Sequence, residues 1–421
     1  MTTDELRAAA DQLVVLHRRF APLFGRVEAR QHSFAYLQGL LSAQGRKSVE
    51  PMALVFGDGS DSESAEPDAV INMQRFLTAS PWKWSAVQRE IQTVFMEQLA
   101  PSTANWPIGN VGVIDESAFI KKGTESVGVA RQYCGRTGTV ENCQVGVFLI
   151  GTVPAGSAVL DHELYLPRCW IKDRKRRKKT RVPKELKFRT KPQIAIDLLK
   201  RTTIGPVQFD WITADEEYGK NGTFLDELEA MSKRYVVEVP VNTTVWTVDP
   251  EGTGRPPGKR WRKYVRTVRS IAENLPAEAW QNLQLREGAT GPLVFQFARV
   301  RVWAVRHRKP GPAIWLLMRR SLGDNPETKY YVVNASADEP LETMALVSGC
   351  RWRVEEFLEE GKMYLGMGHY EVRSWTSWHH HMSLVGVAHL FVTLTRQDLK
   401  KNSRADVRHG GAVAEDCSQA A

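Results

Sequence analysis

The sequence predicts an α/β protein in which a helical amino-terminal stretch precedes a sheet of mixed strand direction, and a β-rich insertion interrupts that sheet. Three observations carry this. Residues 1–105 space their apolar side chains for helices, residues 106–242 alternate strand-like apolar runs with helical ones, and residues 243–337 keep the β-type runs but drop the helices. A chain of 421 residues, 42% of them hydrophobic, is long enough for two or three domains with sizeable cores.

In chain order, Leu6, Leu13, Leu16, Phe20 and Phe24 share one helical face, and Tyr36, Leu37, Leu40 and Leu41 share another. A polar, acidic loop over 57–64 follows. Residues 70–77 and 84–99 read as helices joined by Thr78-Ala79-Ser80-Pro81-Trp82, with Ser80 or Ser85 as an N-cap. That pair fits either a DNA-reading helix-turn-helix or all-α packing. Strands are expected over 111–115, 143–150 and 158–166, then a helix over 192–201 with proline in its first turn. An apolar strand over 207–215 ends on Asp215, followed by a helix over 223–234 and a strand over 235–240. The insertion holds a Gly/Pro-rich basic loop over 252–263 and strands over 294–305, 313–319 and 329–334. Helices return over 340–348, 351–362 and 377–400, within a segment spanning 338–402, and residues 403–421 read as a disordered tail. No internal repeat is visible.

A net charge of +9 and a pI near 9.3 point to a polyanionic partner, since a basic surface concentrates phosphates around it. The five cysteines, at 134, 143, 169, 350 and 417, form no CxxC pair, so neither a disulfide framework nor a zinc site is expected. Reduced thiols fit a cytoplasmic protein, with Cys134 and Cys143 buried beside a Gly-rich turn. The amino terminus has acids and no apolar core, and no window reaches a membrane span, so no membrane partner and no export are expected.

The stretch 351–362 carries the most pointed chemistry. On a helix, Arg351, Glu355 and Lys362 fall within about 40° of one another, whereas Glu356, Glu359 and Glu360 lie about 40° to 160° away. A solvated helix laced with ion pairs is the plain reading of such a run. Upstream, however, two strands end on acids, Asp115 and Asp215, and ligands of α/β sheets bind beyond the carboxyl ends of strands. Either aspartate alone fits a turn or a helix cap. With Glu355 they make a set of carboxylates able to hold a pair of Mg²⁺ ions, with Mn²⁺ an acceptable substitute, for phosphoryl transfer. Arg351 and Lys362 then suit phosphates.

These residues resemble the DDE transposases of bacterial insertion sequences, close to the insertion sequence 701 group and related to the insertion sequence 4 superfamily. Asp115, followed by Ser117-Ala118-Phe119-Ile120-Lys121-Lys122-Gly123, resembles the first aspartate of that family. Asp215 with Tyr218-Gly219 matches its D-x-x-Y-G pattern. Arg351, Glu355 and Lys362 match a Tyr-x2-Arg-x3-Glu-x6-Lys signature whose tyrosine position is Ser348 here, a departure that still leaves a hydroxyl for phosphate. Further likeness lies in Tyr36-Leu37-Gln38-Gly39-Leu40-Leu41-Ser42, Arg46-Lys47, Glu50-Pro51-Met52, Phe76-Leu77 and Ser80-Pro81-Trp82, and extends over roughly residues 30–395. The resemblance implies an RNase H-like catalytic domain split by the insertion, with Asp115, Asp215 and Glu355 as the catalytic metal ligands. It also implies DNA contacts by Arg351, Lys362, Ser348 and Tyr218. The expected partners are double-stranded DNA, both transposon ends and target, and a second copy of the chain in the DNA complex, within a bacterial, nucleoid-associated setting.

Outside the triad, Arg174, Lys175, Arg176, Arg177, Lys178, Lys179 and Arg181 form the densest cationic run, either a solvated loop or a DNA-backbone contact. Residues 255–269, with Trp261 and Tyr264 among the cations, form a second patch. Trp315, beside Arg319 and Arg320, is either core or, by the resemblance, a residue that stacks on a flipped base. His379, His380 and His381 point to different helix faces, so they cannot share one ion and read as packing and polar-surface residues. Two other functions stand beside the transposase: a transposase-derived repressor that binds without cleaving, which needs no metal carboxylates, and an RNase H-like nuclease, which lacks the signature helix.

Overall fold

A computed structural model describes residues 3–57, 66–135, 137–249, 264–288, 291–323 and 325–418, with side chains from residue 5 to 400, those of 66 and 67 excepted. The acidic loop over 58–64 and the basic loop over 252–263 lie outside the described residues.

Helices α1 (Thr3–Phe20), α2 (Val27–Leu41), α3 (Val49–Phe56), α4 (Glu66–Thr78) and α5 (Trp84–Val94) come first. The central run is β1 (Val111–Ile120), β2 (Ala130–Cys134), β3 (Thr139–Val153), β4 (Gly156–Leu164), α6 (Arg168–Lys172), α7 (Arg174–Lys179), α8 (Lys191–Thr203), β5 (Trp211–Ala214), α9 (Glu216–Gly219), α10 (Gly222–Ala230) and β6 (Arg234–Val239). Then come β7 (Thr244–Trp246), β8 (Val265–Thr267), α11 (Val268–Glu273), β9 (Gln281–Gly288), β10 (Gly291–Arg306), β11 (Lys309–Arg320) and β12 (Thr328–Val333). The chain closes on α12 (Leu341–Gly349), α13 (Trp352–Met363) and α14 (Trp375–Ser418), whose backbone helix passes through the stretch expected as a tail.

Among the described residues the strands form one sheet, ordered β2-β3-β1-β5-β6-β12-β11-β10-β7-β8, with β4 beside β3 and β9 beside β10. Only β1/β5 and β5/β6 pair in parallel; the rest are antiparallel. The insertion therefore continues the sheet from β6. Residues 143–153 of β3 are all buried because the sheet is covered on both faces, α8 packing on β3 and β4, and α5 and α14 on β4. Thr190 caps α8 in a reciprocal box with Gln193, and Pro192 occupies its first turn.

Two sequence expectations fail here. Neither Ser80 nor Ser85 caps α5; its N-cap is Lys83, without a side-chain hydrogen bond, because Trp82 turns inward instead. The Trp82 indole donates to the Phe76 carbonyl at 3.2 Å and stacks on His380 at 3.6 Å. The three histidines are not at the surface either. All are buried, since α14 is enclosed by the amino-terminal helices on one side and the sheet on the other. His379 meets the Trp375 carbonyl at 2.9 Å, the His380 nitrogens lie 2.9 Å from the carbonyls of Leu77 and Trp82, and His381 Nδ1 pairs with the Tyr36 hydroxyl at 2.8 Å.

Burial disfavours the charged form of these imidazoles, pushing His379 and His381 down to about 3, His389 to about 4 and His162 well below its ordinary value; His380 falls to about 4 although the Leu77 and Trp82 carbonyls on its two nitrogens oppose the shift. An unfolded histidine titrates near 6.5, so below that pH the unfolded chain binds more protons than the folded one. The stability they contribute is fully present above about pH 6.5 and is lost as pH falls toward 4. Each imidazole should remove up to about 1.4 kcal/mol per pH unit in that window. Urea midpoints measured between pH 7.5 and 4.5 should fall steeply below 6.5; a flat profile would show that these rings are not held neutral.

Candidate active site

The parallel pairing of three neighbouring strands stops at one level. Ile114 of β1 is opposite Ala214 of β5, which is opposite Val237 of β6, and the next residue on each chain is an acid: Asp115, Asp215 and Glu238. Neighbouring strands lie about 4.8 Å apart, so the three carboxylates form a row at the carboxyl ends of the parallel strands. The expectation that β1 stops at Asp115 is corrected. Pairing with β5 stops there, but antiparallel pairing with β3 continues from Asp115 opposite Phe148 to Ile120 opposite Cys143. Asp215 does leave its strand, and it caps α9 by accepting from the Glu217 and Tyr218 amides at 3.0 and 3.4 Å. The capping role and the site role fall on one residue.

Helix α13 lies over this row. It buries Val354, Phe357 and Gly361, with the Phe357 ring 6.0 Å from that of Phe148. Its N-cap, Arg351, is the cation at the centre. The guanidinium lies 4.0 Å from Asp115, 3.7 Å from Glu238 and 2.9 Å from Glu355. Only the last is a hydrogen bond. Arg351 Nη1 is buried with no hydrogen-bond partner among the described residues. The Lys329 ammonium holds the other side of Glu238 at 3.2 Å.

Burial pushes the Asp115 carboxyl up to about 7; Arg351 opposes the rise and Asp215 adds to it. Asp215 is raised as well, chiefly by burial, again with Arg351 opposing. Burial works against the charge on Arg351, but Asp115, Glu238, Asp215 and Glu355 together raise its pKa above the ordinary value. On the neighbouring strand position, Glu116 is raised by burial and is paired with Lys191 and with the Tyr218 hydroxyl at 3.3 Å.

The predicted site residues thus separate into groups. Asp115 and Asp215 are brought together. Glu355 is near but turned to Arg351, with 60% of its side chain exposed against 14% for Asp115. Among the described residues no three His, Cys, Asp or Glu side chains converge to hold a metal ion. The donor set of Asp115 and Asp215, all carboxylate oxygen and partly repelling, still fits a hard divalent cation. Lys362 extends along α13 to lie 5.6 Å from the Phe119 ring of β1. Ser348 is buried, and its hydroxyl donates to the Ala345 carbonyl at 2.7 Å. Tyr218 is also buried.

A cavity of about 170 Å³ beside Arg351 is lined in part by Glu238, Arg319, Lys329, Ser348, Trp352 and Glu355. Arg319 therefore reaches the site from β11. Arg320, on the other face of that strand, bonds Gln296 at 2.6 Å. Trp315 is half-buried, donates to the Ser336 carbonyl at 2.9 Å, and has Arg299 and Arg301 over its ring at 4.3 and 5.2 Å. In the cationic run, Arg176 bonds the Thr124 carbonyl, Arg177 the Pro183 carbonyl and Arg181 the Thr78 carbonyl, at 2.7, 2.6 and 2.7 Å, while Lys179 pairs with Glu125. Arg174, Lys175 and Lys178 are exposed on α7. Of the second patch, Arg269 pairs with Glu273 at 3.7 Å. Sequence reasoning missed Glu238, because only the pairing register shows that a strand glutamate lines up with two distant aspartates.

Two aspartates side by side where the parallel pairing stops, with an Arg-bearing helix laid over them, make a carboxylate site on a mixed sheet. Residues 19–292 match the family described as DDE superfamily endonuclease, and the chain belongs to that family. Its members use divalent metal ions and have an RNase H-like fold, which the β4-β3-β1-β5-β6 part of the sheet carries. The match includes Asp115 and Asp215 and ends before α13. The chain is also similar to a probable transposase for insertion sequence element IS701 from Microchaete diplosiphon, at 26% identity over 336 residues that cover 79% of this chain and 75% of the relative.

Removing the central cation should leave buried carboxylates uncompensated. Arg351→Met is expected to cost about 3 kcal/mol at pH 8 without metal, and adding Asp115→Asn should restore part of that. A urea-denaturation cycle measures both. Equal stability of Arg351→Met and wild type would remove Arg351 from the role of counter-charge.

Proposed function

We propose that the chain is a transposase that binds the terminal inverted repeats of its element, cleaves the element ends and joins the freed 3′-OH to target DNA. The observation that carries this is the row of strand-end acids, Asp115 and Asp215, under a helix presenting Arg351, Glu355 and Lys362. Asp115, Asp215 and Glu355 would hold two Mg²⁺ ions, or Mn²⁺ in their place, which supply water activation and neutralise charge on the leaving oxygen. The chain's own part is positioning. The paired aspartates would set the ions, and through them the reacting phosphodiester, at the level of the sheet, while Arg351, Lys362 and Arg319 offer cations to flanking phosphates.

In this reading residues 1–105 are the DNA-binding domain, 106–242 with 338–402 the catalytic domain, and 243–337 the insertion, working as a homodimer on DNA in the bacterial cytoplasm. No helix among the described residues is long and apolar enough to cross a membrane. Incubation with a labelled element end and Mg²⁺ tests the proposal: strand cleavage supports it, and end binding without cleavage favours a repressor.

Glu355, and not Glu356, should complete the triad, since the arginine it pairs with, Arg351, also lies 4.0 Å from Asp115, whereas Glu356 is paired with Arg353. Glu355→Gln should lower cleavage by at least about a hundredfold with end binding retained, and Glu356→Gln should be mild. Equal losses would refute the assignment.

The exposed cations of α7 should track DNA backbone. Replacing Arg174, Lys175 and Lys178 by Gln should flatten the slope of log affinity against log salt by about 0.9 for each phosphate that the helix no longer neutralises. An unchanged slope would leave α7 a solvated helix.

A further inference from the structure

Glu238 is held from two sides, by Arg351 at 3.7 Å and Lys329 at 3.2 Å, and is itself well buried. A carboxylate already between two cations is poorly placed to be a third metal ligand, although it stands in the row with Asp115 and Asp215. Its neighbour Arg351 is in the opposite condition. One guanidinium serves three carboxylates, makes a hydrogen bond only to the most exposed of them, and buries Nη1 with no hydrogen-bond partner among the described residues. Arg351 stands where it competes with any cation for Asp115 and Glu355, and within about one ångström of a hydrogen bond to Glu238.

We propose that Glu238 is a positioning residue: it receives the Arg351 guanidinium when a divalent cation is bound, and so releases Asp115 and Glu355 to that cation. The inference rests on the reading of Asp115, Asp215 and Glu355 as metal ligands. Like charge drives the guanidinium away from an occupied Asp115, and a buried cation needs a new anion close by. Glu238 supplies it without a backbone shift, since Nε already faces it. Partners one step removed from a metal commonly alter its affinity by ten- to a hundredfold.

The test is Mn²⁺ binding by the DNA-free, full-length protein, followed by the electron paramagnetic resonance of free Mn²⁺. Glu238→Gln should weaken binding about tenfold. Glu217→Gln removes a charge that also acts on Asp215 but is not paired with Arg351, and should change binding by less than about twofold. Glu238→Asp separates contact from charge: it keeps the negative charge but shortens its reach, and should still lose severalfold. In an Arg351→Gln background, Glu238→Gln should have no further effect. Wild-type affinity in Glu238→Asp, equal losses in Glu238→Gln and Glu217→Gln, or a full loss persisting without Arg351 would each reduce Glu238 to a general electrostatic contributor and overturn the proposal. Asp115→Asn and Asp215→Asn identify the other failure, for if both bind Mn²⁺ as wild type does, the metal-site reading falls and this inference with it.

Discussion

The Arg351 guanidinium joins acids from β1, β6 and α13 that the chain itself keeps far apart, and its charge makes their burial tolerable. Around it stand the carboxylates of Asp115, Asp215, Glu238 and Glu355, with Lys329 and Arg319 as the other cations nearby. The Asp115 carboxyl is raised to about 7 chiefly by burial, with Asp215 adding to the rise and Arg351 opposing it. A divalent cation is opposite in charge to these carboxylates, so the crowding of buried acids that raises Asp115 and Asp215 is also what would suit one.

Contacts from the amino-terminal helices support the elements around this arrangement. The amino-terminal helices reach the loop after α13, where the Lys47 ammonium donates to the carbonyls of Leu40, at 2.6 Å, and Tyr364. Arg46 pairs with Glu371 beside it. Gly39 lies so close to Met52 that a Cβ would sit 2.6 Å from its sulfur, so α2 and α3 pack at a distance only glycine allows. Tyr36 anchors α2 to His381 of α14. The residues that carry the family resemblance in the first quarter of the chain thus join α2 and α3 to α14 and to the loop after α13.

Asp115 and Asp215 were legible because each combines a local apolar strand with an acid directly after it, and Glu355 because helix geometry sets it apart from its acidic neighbours. Such signals need only a few consecutive residues. Glu238 gave none: within 235–240 it alternates like any outward polar residue, and its meaning lies in a pairing register formed with strands elsewhere in the chain. The histidines of α14 misled for the same reason, since a helix enclosed on every side needs partners for polar groups that an exposed face would give to water. Ser348 and Tyr218 were found by motif, but motif alone does not show that their hydroxyls are spent on Ala345 and Glu116.

The position of the insertion follows from the same sheet. The chain leaves β6 just past Glu238 and has to return to the acid row with Arg351. Strand β12 brings it back antiparallel to β6, with Tyr331 opposite Glu238 and Val333 opposite Val236, so it ends toward the start of β6. Helix α12 then regains that height, its 9 residues rising about 14 Å, and delivers Arg351 at the level of the acids. Since β12 and then β11 lie beside β6 in the sheet, Arg319 and Lys329 share a cavity with Glu238, Arg351 and Glu355. Ordering of the insertion and placement of the central cation are therefore one problem in packing, because the strand that returns the chain to the site also supplies the second cation on Glu238.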